Sequence, residues 1–347
     1  MKKLRALLLN YYFNVIMVVI LGTTVFFIFS YGNGTEIWSC FRDIQILWLL
    51  SGCFLAFFIQ VVSGAVYKLL ANVFNPDYPL GDGLVNSLIA SWFKALMPIG
   101  GDTQAAQIYV YRKQGIRMND AATALLMEFI IFQIVSGLTT FVFIVWRLKH
   151  MLEVYSPLMW LVVLGFIVDS FLIVVLIIFN AFPKLYERIS GKGGWLTKLP
   201  FFKAHDQAGS PLTEQLLSFA NAKKLLGENK DVLIKVVVLD IIRILLGFAL
   251  PLVVLRALNI DLNFTMAIDI VVLSCFIGAI NRLLPLPGGT GSSEAVFILF
   301  LIPLVGPIMA VSCALLWRLL DFYLIVLSGG LVFMIFKRAH TPRKAVF

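Results

Sequence analysis

Leu283 to Ala295 reads LLPLPGGTGSSEA, and it stands between the apolar run Phe264 to Ile280 and the apolar VFILFLIPLVG that begins at Val296. Prolines, paired glycines, hydroxyls and a glutamate thus appear where hydrocarbon is expected. The surroundings make that break decisive. Of 347 residues, 60% are hydrophobic and 14% charged, the mean hydropathy is +0.93, and runs near twenty apolar residues, the length a helix needs to cross a bilayer core, recur along the chain. The composition predicts an all-α polytopic membrane protein.

Working outward, apolar length and periodicity predict full spans at 13-30, 44-68, 121-145, 157-181, 232-257 and 309-336. Two further stretches, 84-110 and 264-305, are broken at MPIGGD and at the opening motif, so the expectation is six full spans plus two re-entrant hairpins. The span behind MKKLR is read as retained, because no small-residue cleavage site precedes the polar YGNGTE. If each broken stretch enters and leaves on one face, the basic residues divide nineteen to four between the two sides of the membrane. The positive-inside rule then puts both termini and the loop 182-231 in the cytoplasm of a cell-membrane protein. The same bias accounts for the net charge of +9 without a nucleic-acid partner.

The loop 182-231 is too small and polar for an enzyme domain; its PLTEQLLSFANAKKLL can lie in the membrane interface or serve as a linker. Cys40, Cys53, Cys275 and Cys313 have packing positions rather than metal-ligand spacing. His150, His205 and His340 are far apart in sequence. No cofactor or metal is expected.

The two broken stretches resemble one another. KALMPIGG (Lys94 to Gly101) aligns with RLLPLPGG (Arg282 to Gly289) at an offset of 188, and ALLMEFIIF (from Ala124) with ALLWRLLDF (from Ala314) at 190. With the topology above, the halves 44-145 and 232-336 are inverted, an arrangement in which interrupted helices meet around a polar cavity. Non-helical backbone at membrane depth survives only where protein or water satisfies it. Pro98, Gly100 and Gly101 would then form one tip, and Pro285, Pro287, Gly288, Gly289 and Gly291 the other. The alternative is a surface turn with Ser292 or Ser293 as N-cap.

Ionisable groups inside spans are functional candidates by default. Lys94 and Arg282 precede the tips; Asp102 and Glu294 follow them, near positive half-helix ends where a carboxylate is favoured. Asp240 with Arg243, and Arg318 with Asp321, are spaced to neutralise each other on one helix. Glu128 aligns with Arg318 in the repeat, which suggests an interhelical pair, and Asp169 has no local partner. Lys94, Asp102, Glu128, Arg282, Glu294, Arg318 and Asp321 are the expected substrate path.

LPLPGGTGSSEAVF, followed by ALLWRLLDFYLIVLSGG, is similar to the closing signature of the lysylphosphatidylglycerol synthase transmembrane, or flippase-like, family. The likeness extends from about residue 44 to 336, carried most by the Pro-Gly-Gly motif, Glu294 and Arg318. In the first half Pro98, Gly101, Asp102, Arg112 and Glu128 fit, while TQAAQ stands where the family places an arginine. The resemblance implies movement of an aminoacylated lipid between leaflets; in fused members a separate C-terminal domain makes that lipid, and this chain ends at Phe347, soon after its last expected span.

Three functions follow as expectations. The first is a flippase moving a phospholipid or lipid-linked precursor, with membrane lipids as partners. The second is a phosphatidylglycerol lysyltransferase. The third is a scaffold for a separate synthase or glycosyltransferase.

Overall fold

In hydrocarbon every backbone N–H and C=O must find its partner inside the protein, and helices do this within one segment. The computed structural model describes residues 34–96, 100–181, 225, 227–281 and 291–339. Among them the chain forms α1 (Gly34–Arg42), α2 (Ile46–Ala71), α3 (Leu80–Leu96), α4 (Gly100–Lys113), α5 (Met118–Ala181), α6 (Lys230–Ala257), α7 (Phe264–Asn281), α8 (Ser292–Val305), α9 (Pro307–Arg318), a π-helical turn (Leu319–Tyr323) and α10 (Leu324–Ala339). Among the described residues four segments are long and apolar enough to cross a membrane: Ile46–Ala71, Met118–Tyr155, Lys230–Ala257 and Pro307–Arg338. Their outer surfaces carry bare Leu47, Phe54, Leu138, Ile234, Leu331 and Ile335, the apolar coat that lipid covers and water would not. The protein is a multi-pass membrane protein. The expected span 13-30, both proline-bearing tips, Asp169's side chain and the segment 182–224 lie outside the described residues.

Local chemistry sets the helix ends. α6 closes in a Schellman motif with Asn259 at a left-handed φ of 62°; the Ile260 N–H reaches the Leu255 carbonyl and the Asn259 N–H the Arg256 carbonyl. Asparagine and glycine tolerate that conformation best. α4 ends the same way on Gly115, at φ 95°, with Ile116 bonded to Tyr111. α8 ends at Gly306, φ 78°, and Pro307 starts α9 where its missing N–H does no harm.

The sequence predicts a surface loop between spans 121-145 and 157-181, and the structure corrects this. α5 remains helical through Arg147, Lys149 and His150, and only Tyr155 departs, at φ −120° and ψ 23°. The arms fold back on each other there, since the Phe141 and Phe166 rings stack with centroids 6.0 Å apart. An ionic anchor explains the added helix: Arg147 Nη2 lies 2.8 Å from Asp269 Oδ1 and His150 Nε2 lies 3.2 Å from Asp269 Oδ2, tying α5 to α7.

α2 and α6 form the central pair. They run antiparallel: Gln45, ahead of α2, donates its N–H to the carbonyl of Ala257 at the end of α6 (2.9 Å), while Val66 and Leu70 share a core with Val236. α3 packs with α4 and α7 with α8; α3 also lies on α10, and α7 on α5. Glycines set the closest approaches, as small residues do where helices meet in membranes. A β-carbon on Gly83 would strike the carbonyl oxygen of Gly64, one on Gly64 would sit 2.8 Å from Leu84 backbone, and one on Gly329 would strike the carbonyl of Leu88.

Because the obstructing atoms are backbone, Gly83→Ala should destabilise the detergent-purified protein by about 1–3 kcal/mol, the usual cost of overpacking. Gly81→Ala, two residues away with open space around it, should be neutral or slightly stabilising. Thermal unfolding of the two variants checks this.

Candidate functional site

The helix pairs surround a partly open cavity of about 430 Å³ between α2, α3, α4, α5, α6, α7, α8 and α9. Its polar wall is built by helical spacing. Gln60, Ser63 and Tyr67 lie on one face of α2, Ser87, Ser91 and Lys94 on one face of α3, Thr103 and Gln107 on α4, and Ser136 and Thr140 on α5. Gln60 Oε1 accepts hydrogen bonds from Ser87 Oγ (2.6 Å) and Ser91 Oγ (3.3 Å), which joins α2 to α3. Phe132, Phe248, Phe297 and Trp317 supply the apolar part of the lining, with Arg243, Lys94 and Asp321 as its charges. A lining that is largely apolar with a few converging polar and charged groups is the usual make-up of a ligand site.

Of the expected path residues, the structure brings Lys94 and Asp321 to this cavity. Lys94 and Arg318 are the positive charges acting on Asp321. Glu294 and Arg318 are also together, but as a buried pair: Arg318 Nε lies 2.8 Å from Glu294 Oε1, and the two residues are 4% and 2% exposed. Neither is among the cavity-lining residues, although their neighbours Trp317 and Phe297 are, stacked with centroids 4.6 Å apart. Glu294 has a second task. Its Oε2 accepts the N–H of Gly291 at 2.8 Å, and Gly291 is the N-cap of α8 at φ 85°. The cap is therefore Gly291, bonded by Glu294, rather than Ser292 or Ser293.

Two expected pairings are corrected. Arg318 makes its close ion pair with Glu294 rather than with Asp321, on which it acts only as a nearby charge. In a regular α-helix residues three apart share a face; the π-helical turn beginning right after Arg318 lets Asp321 turn to the cavity while the guanidinium lies toward Glu294 and over the Phe322 ring, 3.9 Å from its centroid. Such turns occur often at functional sites. Glu128 pairs not with Arg318 but with Arg243, Oε1 to Nη2 at 3.0 Å. Arg243 also holds Asp240 at 2.8 Å, the expected i,i+3 pair. Gly100, Gly101 and Asp102 open α4. Pro98, Arg282, Pro285, Pro287, Gly288 and Gly289 lie outside the described residues.

The uncharged wall is not among the residues that the charge rule singles out. The signal was present as small polar residues at i, i+3, i+4 and i+7 within apolar helices, a stripe that marks a cavity as readily as a helix contact. For Arg243 the local sequence shows only the i,i+3 partner Asp240, because nothing local says that its far side faces open space.

Removing one member of a buried ion pair leaves the other charge uncompensated, at a cost of about 3–5 kcal/mol. Glu294→Ala and Arg318→Ala should both lose folded yield and thermal stability in detergent. Glu294→Gln, which keeps an acceptor for Gly291, should lose less than Glu294→Ala. Equal losses would show that the cap adds nothing.

Searches of curated proteins and of solved structures found no match. A family model does match, and its span takes in α3 with α4, α7 with α8, the cavity wall, the Glu128–Arg243 contact and the Glu294–Arg318 pair: over residues 14–329 the chain fits the family described as the lysylphosphatidylglycerol synthase TM region, and it belongs to that family.

Proposed function

We propose that this protein is a lipid translocator, which passes the headgroup of a phospholipid or lipid-linked precursor through the cavity while the acyl chains remain in the bilayer. The observation that carries the reading is a cavity of about 430 Å³ whose wall combines Lys94, Arg243 and Asp321 with a ring of hydroxyls and amides. A headgroup is small, hydrated and charged. Crossing hydrocarbon unaided would strip that hydration, and buried donors and acceptors replace it.

In this reading α3 with α4 and α7 with α8 are re-entrant hairpins of an inverted repeat. Their packing supports it: α2 lies antiparallel to its repeat mate α6, and each hairpin rests on a helix of the opposite half, α3 on α10 and α7 on α5. Exchange of the halves maps this pattern onto itself. The basic-residue distribution supports cytoplasmic termini and a plasma-membrane setting. The family match supports a lipid of the lysylphosphatidylglycerol type as the first candidate cargo.

The test is a leaflet-specific assay in reconstituted vesicles containing a headgroup-labelled phospholipid. Wild-type protein should bring the inner-leaflet label into reach of a membrane-impermeant quencher. A hydrogen bond to a charged group contributes about 1.5–3 kcal/mol, so Lys94→Ala and Asp321→Ala should each slow movement about tenfold or more without loss of folded protein. Movement at the wild-type rate in both variants would contradict the cavity route, and no movement by wild type would favour a scaffold.

Orientation is tested separately in intact cells, by labelling single cysteines introduced into a cysteine-free background with an impermeant maleimide. Position 205 should be protected and position 261 labelled. The reverse pattern would invert the topology.

A further inference from the structure

Beside the cavity, Arg243 lies between two carboxylates. Its Nη2 is 3.0 Å from Glu128 Oε1 on α5 and 2.8 Å from Asp240 Oδ1 on its own helix. Asp240 is 0% exposed, and neither of its oxygens accepts a hydrogen bond of good geometry. Glu128 is half-buried, and Arg243 lines the cavity with Tyr67. The guanidinium also sits over the Phe132 ring, 4.4 Å from its centroid, so one side of the cluster is apolar. Tyr67 of α2 is the other ionisable neighbour, with Tyr111 of α4 beyond it. Among the described residues, two acids thus share one base inside a membrane-spanning bundle.

The charge count is the argument. With both acids ionised the cluster carries one net negative charge, and an uncompensated charge in an apolar interior costs several kcal/mol. Protonation of either carboxylate removes it. We propose that Glu128, Asp240 and Arg243 form a proton-binding site, and that its proton moves together with an anionic phosphodiester headgroup in the cavity. The first half stands on the cluster alone; the second rests on the translocator reading. Binding forms one carboxylic O–H from a proton of cavity water, release returns that proton, and no electron changes hands. A phosphodiester beside Arg243 is repelled by the deprotonated cluster and not by the neutral one. Headgroup occupancy therefore favours the proton, and by linkage the proton favours the headgroup to the same degree.

Infrared titration of the purified protein in a phosphate-free detergent reads the site directly. A protonated carboxylic acid band should persist at neutral pH. Asp240→Asn and Glu128→Gln should each abolish it, since either leaves one acid on one base, and Asp321→Asn should retain it. A missing band, or one that survives both substitutions, overturns the proton site.

Coupling is read from the affinity for dihexanoyl phosphatidylglycerol from acid to alkaline pH. It should weaken by up to about tenfold per pH unit above the range in which the band disappears, and the slope should be flat in Asp240→Asn. A flat slope in wild type overturns the coupling. If the lipid binds at no pH, the cavity reading fails and takes the coupling with it, while the band still decides the proton site.

Discussion

An unpaired charge in an apolar interior is the most expensive defect this protein could contain, and the arrangement of its helices follows from avoiding it. Three charge clusters each tie one helix to another. Glu294 and Arg318 fasten the start of α8 to the end of α9. Glu128 and Arg243 join α5 to α6. Arg147 and His150 meet on Asp269 and hold the turn of α5 against α7. Where no charge intervenes, glycine lets backbones nearly touch, as at Gly64 and Gly83 between α2 and α3. The hydrophobic effect does not drive helices together inside lipid, so these ionic and close-packed contacts carry the specificity that an apolar core supplies in water.

A wall fixed in this way can surround a polar space without collapsing onto it. Gln60 stays between Ser87 and Ser91 because one carbonyl oxygen accepts from both. The π-helical turn directs Asp321 to the cavity while Arg318, three residues earlier, is committed to Glu294. Arg243 belongs to both systems. It is shared by two acids behind the wall and lines the cavity in front of it, so a change in the charge of the cluster is felt by whatever occupies the cavity.

Much of the architecture was legible because hydropathy reports length directly. The segments 44-68 and 232-257 reappear as α2 and α6, and the broken stretches 84-110 and 264-305 as the pairs α3 with α4 and α7 with α8. The turn of α5 was not, since Arg147 and His150 look like loop residues until Asp269, over a hundred positions later, is brought beside them. Candidate residues were found by the rule that charge inside a span needs a reason, which singled out Lys94, Glu294, Arg318 and Asp321. Their partners were not found, because helical spacing assumes 3.6 residues per turn and the π-helical turn after Arg318 breaks that count. The serines and glutamines of the wall were overlooked because each is unremarkable alone and only the fold sets them facing one another.

The central claim is that a lipid headgroup enters this wall. Photo-crosslinking with a phospholipid bearing a diazirine on its headgroup tests it most directly, with adduct positions mapped by peptide sequencing. Adducts on the cavity lining around Thr103, Gln107, Ser136 and Ser274 are predicted, and they should be displaced by excess unlabelled lipid. Adducts confined to outer positions such as Leu138 and Leu331, with the lining unmodified, would contradict the account.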